Sequence, residues 1–255
     1  MSDTLIYISC YVIIFTFGLV IGSFLNVCIY RIPKHESIVL PASHCMNCGY
    51  ELAWYDLVPL FSYVILGGRC RKCKTGLPLQ YPLVEGMNGV LYVIIFLANG
   101  LNLFSVIYCL LTSALIVLSF IDFRTLEIPD GIHVFILILG IICTVLDRVQ
   151  WREHVIGFFV VSVFLLIIYL ATAGAGLGGG DIKLMAVAGL LIGWKLIILA
   201  FFIGCIVGSV IHVIRMKVSG AGKVLALGPY LSVGIFLSAL WGDRLIDMYL
   251  RICGF

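Results

Sequence analysis

Residues 86–121 read GMNGVLYVIIFLANGLNLFSVIYCLLTSALIVLSFI, thirty-six positions without one charged side chain. About twenty apolar residues cross the roughly 30 Å hydrocarbon core as one helix. This run is too long for one crossing and folds back on itself, with Ala98-Asn99-Gly100-Leu101-Asn102 as the expected turn. The residue that ends it is Asp122.

The rest of the chain repeats the pattern. Of its 255 residues, 62% are hydrophobic and 11% charged, with a mean hydropathy of +1.18. These values exclude a soluble globular domain. Further apolar runs cover 4–30, 155–180, 196–214 and 224–242, and two shorter ones cover 131–146 and 184–194. The expected fold is an all-α polytopic membrane protein of about eight transmembrane helices. The first run has no basic leader and no small-residue cleavage pattern, so it is expected to be a membrane helix rather than a cleaved signal.

Lysine and arginine excess marks cytoplasmic loops. If 31–81 is cytoplasmic, so are 122–130, 173–183 and 215–223. Those four regions carry eleven of the sixteen basic residues, including Lys34, Arg124, Arg215, Lys217 and Lys223. Both termini then lie outside the cytoplasm. The net charge of +3 reflects this topology and gives no support for nucleic-acid binding. The cluster Arg215, Lys217 and Lys223 is expected to meet anionic lipid.

Three stretches follow as domains: 1–30 as a first transmembrane helix, 31–82 as a cytoplasmic insertion, and 83–255 as the transmembrane core. The insertion holds four of the seven prolines. It also holds Cys45-Met46-Asn47-Cys48 and Cys70-Arg71-Lys72-Cys73, two pairs separated by 21 residues, just beyond the usual spacing of a four-cysteine zinc ribbon, which they are expected to form. Two disulfides or free thiols are the alternative, and a reducing cytoplasm argues against disulfides. Within the insertion, LVPLFSYVIL (57–66) is too short to span. It is expected to form either the insertion's own core or a piece lying on the bilayer surface.

The acids at the helix ends carry the chemistry. A carboxylate near hydrocarbon costs about 2.5–3.5 kcal/mol on insertion scales, which makes Asp122 a functional candidate; an interfacial helix end is the other reading. Asp130 follows Pro129 and is expected to cap a helix. Asp181 read singly is also a helix N-cap, but it stands behind Gly178, Gly179 and Gly180, whose bare backbone suits close approach by another chain. With the proposed topology Asp122 and Asp181 share one membrane face. Two facing aspartates are the apparatus for hydrolysis by an activated water.

These motifs together resemble the type IV prepilin peptidases, intramembrane aspartyl proteases of the GxGD kind. The resemblance is carried by Gly22-Ser23-Phe24-Leu25-Asn26-Val27, Tyr30-Arg31-Ile32-Pro33, both cysteine pairs, Trp54-Tyr55-Asp56, Tyr81-Pro82-Leu83-Val84-Glu85, Asp122, Ile128-Pro129-Asp130 and Gly178-Gly179-Gly180-Asp181-Ile182-Lys183-Leu184. It implies cleavage of the leader from prepilins or pseudopilins in the bacterial inner membrane, at its cytoplasmic face. Transfer of a methyl group from S-adenosylmethionine to the new N-terminus would follow. The family's catalytic aspartates match Asp122 and Asp181, and its zinc cysteines match Cys45, Cys48, Cys70 and Cys73. Met46 and Gln80 depart from the commoner proline and arginine. By resemblance the methyl-transfer site belongs to the insertion and its membrane edge, with Glu85 and Gly89 as candidates; Glu85 reads equally as a helix start. Asn26 and Lys183 are candidates for substrate contact, with helix packing and lipid contact as their alternatives. The helix macrodipole would make Asp181 the base and Asp122 the acid.

Overall fold

A computed structural model describes residues 2–174, 176–219 and 225–254, so Lys223 lies outside the described residues. Nine α-helices and no strand occur among them: α1 (Ser2–Arg31), α2 (Phe61–Ile65), α3 (Gln80–Asn99), α4 (Leu103–Thr125), α5 (Asp130–Leu146), α6 (Trp151–Ala171), α7 (Gly179–Ile192), α8 (Trp194–Ser219) and α9 (Gly228–Ile252). Leaving out the five-residue α2, eight helices remain, as expected, with α7 the shortest of them at fourteen residues. Five of them are long and apolar enough to cross a membrane, namely α1, α3, α4, α6 and α8. Hydrocarbon offers no partner for a backbone N–H or C=O, and a helix satisfies both internally, so even β-branched runs such as Val93-Ile94-Ile95 are helical.

The turn expected at 98–102 lies between α3 and α4. Gly100 takes a left-handed φ of 78°, and the Asn102 side chain accepts the Ser105 amide at 2.9 Å to start α4. The chain divides into two compact units at this turn, residues 1–101 and 102–255. The compact boundary thus falls later than the change of composition near 83, because α3 packs along α1. Gly18 and Gly22 let α3 come close: an added Cβ would lie 2.8 Å from Gly89 Cα and 2.7 Å from Glu85 Cα, respectively. Asn88 seals the crossing by donating to the Gly18 carbonyl at 2.7 Å.

In the first unit the insertion joins α1 to α3. Arg31 is buried at the end of α1 and donates to the carbonyls of Ser37 (2.9 Å) and Pro41 (2.8 Å), which shapes the exit loop. Of the stretch 57–66, only Phe61–Ile65 is α-helical, and its large apolar side chains Phe61, Val64 and Ile65 are exposed. They are not the insertion's core.

The second unit is built around α7. Nine of its fourteen residues are buried, and it packs against α5, α6, α8 and α9. At 1.5 Å per residue α7 is about 21 Å long, short of the hydrocarbon thickness. It survives there because other helices enclose it. The tightest crossing is α6 on α7, where Gly157 and Gly189 face each other and an added Cβ on either would press into the other's carbonyl oxygen. Substituting Gly189 with Val is expected to destabilise the protein by about 1–3 kcal/mol through overpacking. Detergent-solubilised unfolding monitored by circular dichroism would measure it, with Gly131→Ala, a position that meets nothing within 4 Å, as the control.

Candidate active site and metal site

Asp122 lies in the last turn of α4 and Asp181 is the third residue of α7. Both are buried, at 5% and 8% exposure. Both line one cavity of about 330 Å³, whose wall includes the whole glycine run 178–180. The pairing expected from two separate sequence motifs is therefore present in space.

The glycines divide the work. Gly178 is the N-cap of α7, and an added Cβ there would approach Asp181 Oδ2 to 3.1 Å. Gly179 faces open space within the cavity wall, and Gly180 packs on the Ile128 side chain. Only Gly179 thus leaves bare, unobstructed backbone next to the carboxylate.

Asp122 is held by a group that the sequence analysis missed. The backbone N–H of Gly228 donates to its Oδ2 at 2.9 Å, in a buried environment. Gly228 is the first residue of α9, followed by Pro229, which is suited to a first helical turn because it has no N–H to satisfy. A side chain at 228 would put its Cβ 2.7 Å from Asp122 Oδ2. Both aspartates therefore sit at helix N-termini, Asp181 on its own helix and Asp122 across from α9. Sorting base from acid by the dipole at Asp181 alone does not follow. The sequence signal was Leu227-Gly228-Pro229, a glycine and a first-turn proline opening an apolar run.

Around the cavity, Lys183 pairs with Asp130 at 2.7 Å. This pair is exposed, and it joins α5 to α7. Asp130 is thus a bridging residue, and no side chain caps α5. His133 Nε2 donates to the Gly180 carbonyl at 3.1 Å, since a carbonyl can only accept; its Nδ1 faces Asp130 at 3.6 Å. His133 therefore ties α5 to the turn that carries Asp181.

The first unit assembles the cysteines. The sulfurs of Cys45, Cys48, Cys70 and Cys73 lie within 4.8 Å of one another. Cys45 to Cys73 is 3.7 Å and Cys48 to Cys70 is 4.0 Å. Four thiolates about 2.3 Å from a central ion stand about 3.8 Å apart along a tetrahedron's edges, so the donor set fits a tetrahedral metal. The two pairs form matching loops. In each, the first cysteine amide donates to a carbonyl five residues on, Tyr50 at 2.8 Å and Thr75 at 2.9 Å. The residue four past that cysteine, Gly49 or Lys74, has φ of 67° or 61°. The Thr75 hydroxyl and amide, with the Asn47 amide group, hold the Cys73 thiol down to about 5, which favours the ligating thiolate. Buried Asp56 braces the second loop by an ion pair with Arg71 at 2.7 Å.

The remaining candidates are engaged in packing. Asn26 is buried, donates to the Tyr81 carbonyl at 3.2 Å and accepts from Gln80 at 3.3 Å. Glu85 is buried, and its Oε2 accepts the Leu60 amide at 2.8 Å. Gly89 is enclosed by Phe15 and Leu19 at the α1–α3 crossing.

The comparisons agree with this division. A family model described as the bacterial Peptidase A24 N-terminal domain matches residues 16–99, and one described as the type IV leader peptidase family matches residues 109–213. The first span contains all four cysteines and the second both aspartates. Similar curated proteins include three named prepilin leader peptidase/N-methyltransferase. That of Pseudomonas aeruginosa is 30% identical over 100% of this chain and 97% of its own. That of Pseudomonas putida is 31% identical over 93% of each, and that of Bacillus subtilis is 31% identical over 94% of this chain and 98% of its own. No solved structure matches.

The Gly228 contact is testable. Gly228→Ala should lower the turnover of the aspartate site by about 10- to 100-fold, since displacing a reacting group by an ångström has costs of that order. A kinetic assay in membranes, with expression matched, would read it; a variant of unchanged turnover would remove Gly228 from the site.

Proposed function

Because this chain belongs to the type IV leader peptidase family, we propose that it cleaves the leader peptide of prepilins or pseudopilins with the Asp122–Asp181 pair and then methylates the new N-terminus. The observation that carries the reading is the convergence of two buried aspartates on one cavity beside an unobstructed glycine backbone.

In the proposed mechanism one carboxylate takes a proton from a water molecule. The hydroxide adds to the scissile carbonyl while the other carboxyl, protonated, donates to the carbonyl oxygen. The tetrahedral intermediate then collapses: one hydroxyl returns its proton to the second carboxylate as the carbonyl re-forms, the C–N bond breaks, and the leaving amine takes a proton from the first carboxyl, so both carboxyls regain their starting states. Two carboxyls close together share one proton, and the pair titrates as a unit. The Gly228 amide orients Asp122 throughout. The glycine run, held by His133 and Ile128, would receive the substrate backbone beside Asp181. Lys183 acts from outside through Asp130, which fixes α5 to α7.

The cavity is proposed to face the cytoplasm of a bacterial inner membrane, as the distribution of basic residues supports. Prepilin leaders would then reach the site without crossing the bilayer. Arg215 and Lys217 fall on that same side in this topology and would meet anionic lipid.

The metal held by Cys45, Cys48, Cys70 and Cys73 is proposed to be zinc, in a structural role. Four-thiolate sites closed to solvent ligands are typical of structural zinc, and none of these sulfurs belongs to the aspartate cavity. The methyl donor is proposed to be S-adenosylmethionine. Glu85 and Gly89 are packing residues in this reading, and its binding is not assigned to them.

Two measurements test the proposal. In membranes carrying a prepilin, Asp122→Asn and Asp181→Asn should each lower cleavage at least about 100-fold, the loss of general acid or base catalysis. Cleavage surviving in either inserted variant refutes the paired mechanism. Purified chain should contain tightly bound zinc by elemental analysis, and Cys70→Ser should lose it together with the thermal stability of the first unit. Asp181→Asn should retain it.

A further inference from the structure

Glu85 does something other than what its sequence position suggests. It lies five residues into α3, a spanning helix, or about 7–8 Å along its axis at 1.5 Å per residue. Its carboxyl accepts the amide of Leu60, the residue immediately before α2. Leu60 itself is bent to a left-handed φ of 59°. The start of α2 is therefore fastened beside the second turn of a membrane helix, below the level where α3 begins.

The side of α2 that turns away is apolar. Phe61, Val64 and Ile65 recur at the one-face spacing of a helix and are 65%, 75% and 78% exposed. The opposite side is engaged: Tyr63 donates to the Leu77 carbonyl at 3.1 Å and packs against Gly68. Leu79, 75% exposed, continues the apolar surface to the start of α3, where exposed Leu83 and Val90 follow. Beyond α2 come exposed Arg69, Lys72 and Lys74. An apolar face at this depth, continuous with a lipid-facing helix and followed by basic residues, matches the boundary between acyl chains and anionic headgroups.

We propose that α2 is an interfacial foot: Phe61, Val64 and Ile65 insert into the headgroup–acyl boundary of the bilayer, and Glu85 sets their depth through Leu60. The foot fixes the four-cysteine loops against the membrane surface. This inference rests on the spanning of α1 and α3 and is independent of the proteolytic reading.

The test places an environment-sensitive fluorescent amino acid at position 61, 64 or 65 of the full chain, reconstituted in vesicles of phosphatidylethanolamine and phosphatidylglycerol. Val90 on α3 serves as the lipid-exposed control. Met46, exposed in the first cysteine loop, serves as the aqueous control. Brominated lipid should quench all three positions of α2 to the degree seen at 90, and iodide should quench them several times less than position 46. Removing the fastening with Glu85→Ala should leave lipid quenching at 90 unchanged and shift quenching at 61 toward iodide. Quenching at 61, 64 and 65 that follows position 46 overturns the proposal. So does loss of iodide access only on dimerisation of labelled chains, which would make a second copy the occupant.

Discussion

A carboxylate that leaves water must be given other hydrogen-bond donors or a proton, and inside hydrocarbon this is the most expensive demand any side chain makes. The second unit is arranged around meeting it twice. Asp122 receives the amide of Gly228, a donor that exists only because α9 begins there, with its first amides unpaired. Asp181 stands in the first turn of α7, where the helix offers the same partial positive charge. Neither solution tolerates much bulk. A methyl group at 228 or 178 would crowd the carboxylate it serves, so the glycines are set by the acids.

That demand also explains why α7 is short and central. An aspartate at the start of a full-length lipid-facing helix would either rise to the surface or face hydrocarbon. A helix of about 21 Å, packed against four others, keeps nine of its fourteen residues buried, Asp181 among them. The enclosure needs close crossings, and the facing pair Gly157 and Gly189 supplies one. In membranes, where exclusion of water does not drive helices together, such close packing carries the association.

Much of this was legible in the sequence, for a physical reason in each case. Helix number and class follow from hydropathy, because the bilayer sets one length scale. The turn at 98–102 and the cysteine pairs are local features, and short-range geometry is written in short-range sequence. What escaped was made by backbone groups or by partners far apart in the chain. The Gly228 amide is 106 residues from Asp122, and a backbone donor has no residue type to reveal it. In the sequence Lys183 is a candidate for substrate or lipid contact, yet its partner is Asp130 on another helix. Asp130 was read as a cap from the proline before it, and the same contact accounts for it. Asn26, Glu85 and Gly89 sit in motifs that serve the α1–α3 crossing and the fastening of Leu60. A residue-type pattern does not distinguish a polar group that binds a ligand from one that binds its own fold.

Structure does distinguish them, by what each buried acid has left to offer. Asp56 is buried and spent on Arg71 at 2.7 Å, and Glu85 is buried and spent on Leu60 at 2.8 Å. Both hold two pieces of chain together. Asp122 and Asp181 are equally buried, but each keeps its carboxyl in the wall of a cavity, and the cavity is shared. A fold gains nothing in stability from aiming two acids at one void, where their charges oppose each other. It is the arrangement that the proposed mechanism calls for, with a water molecule to be activated and a peptide bond to receive it.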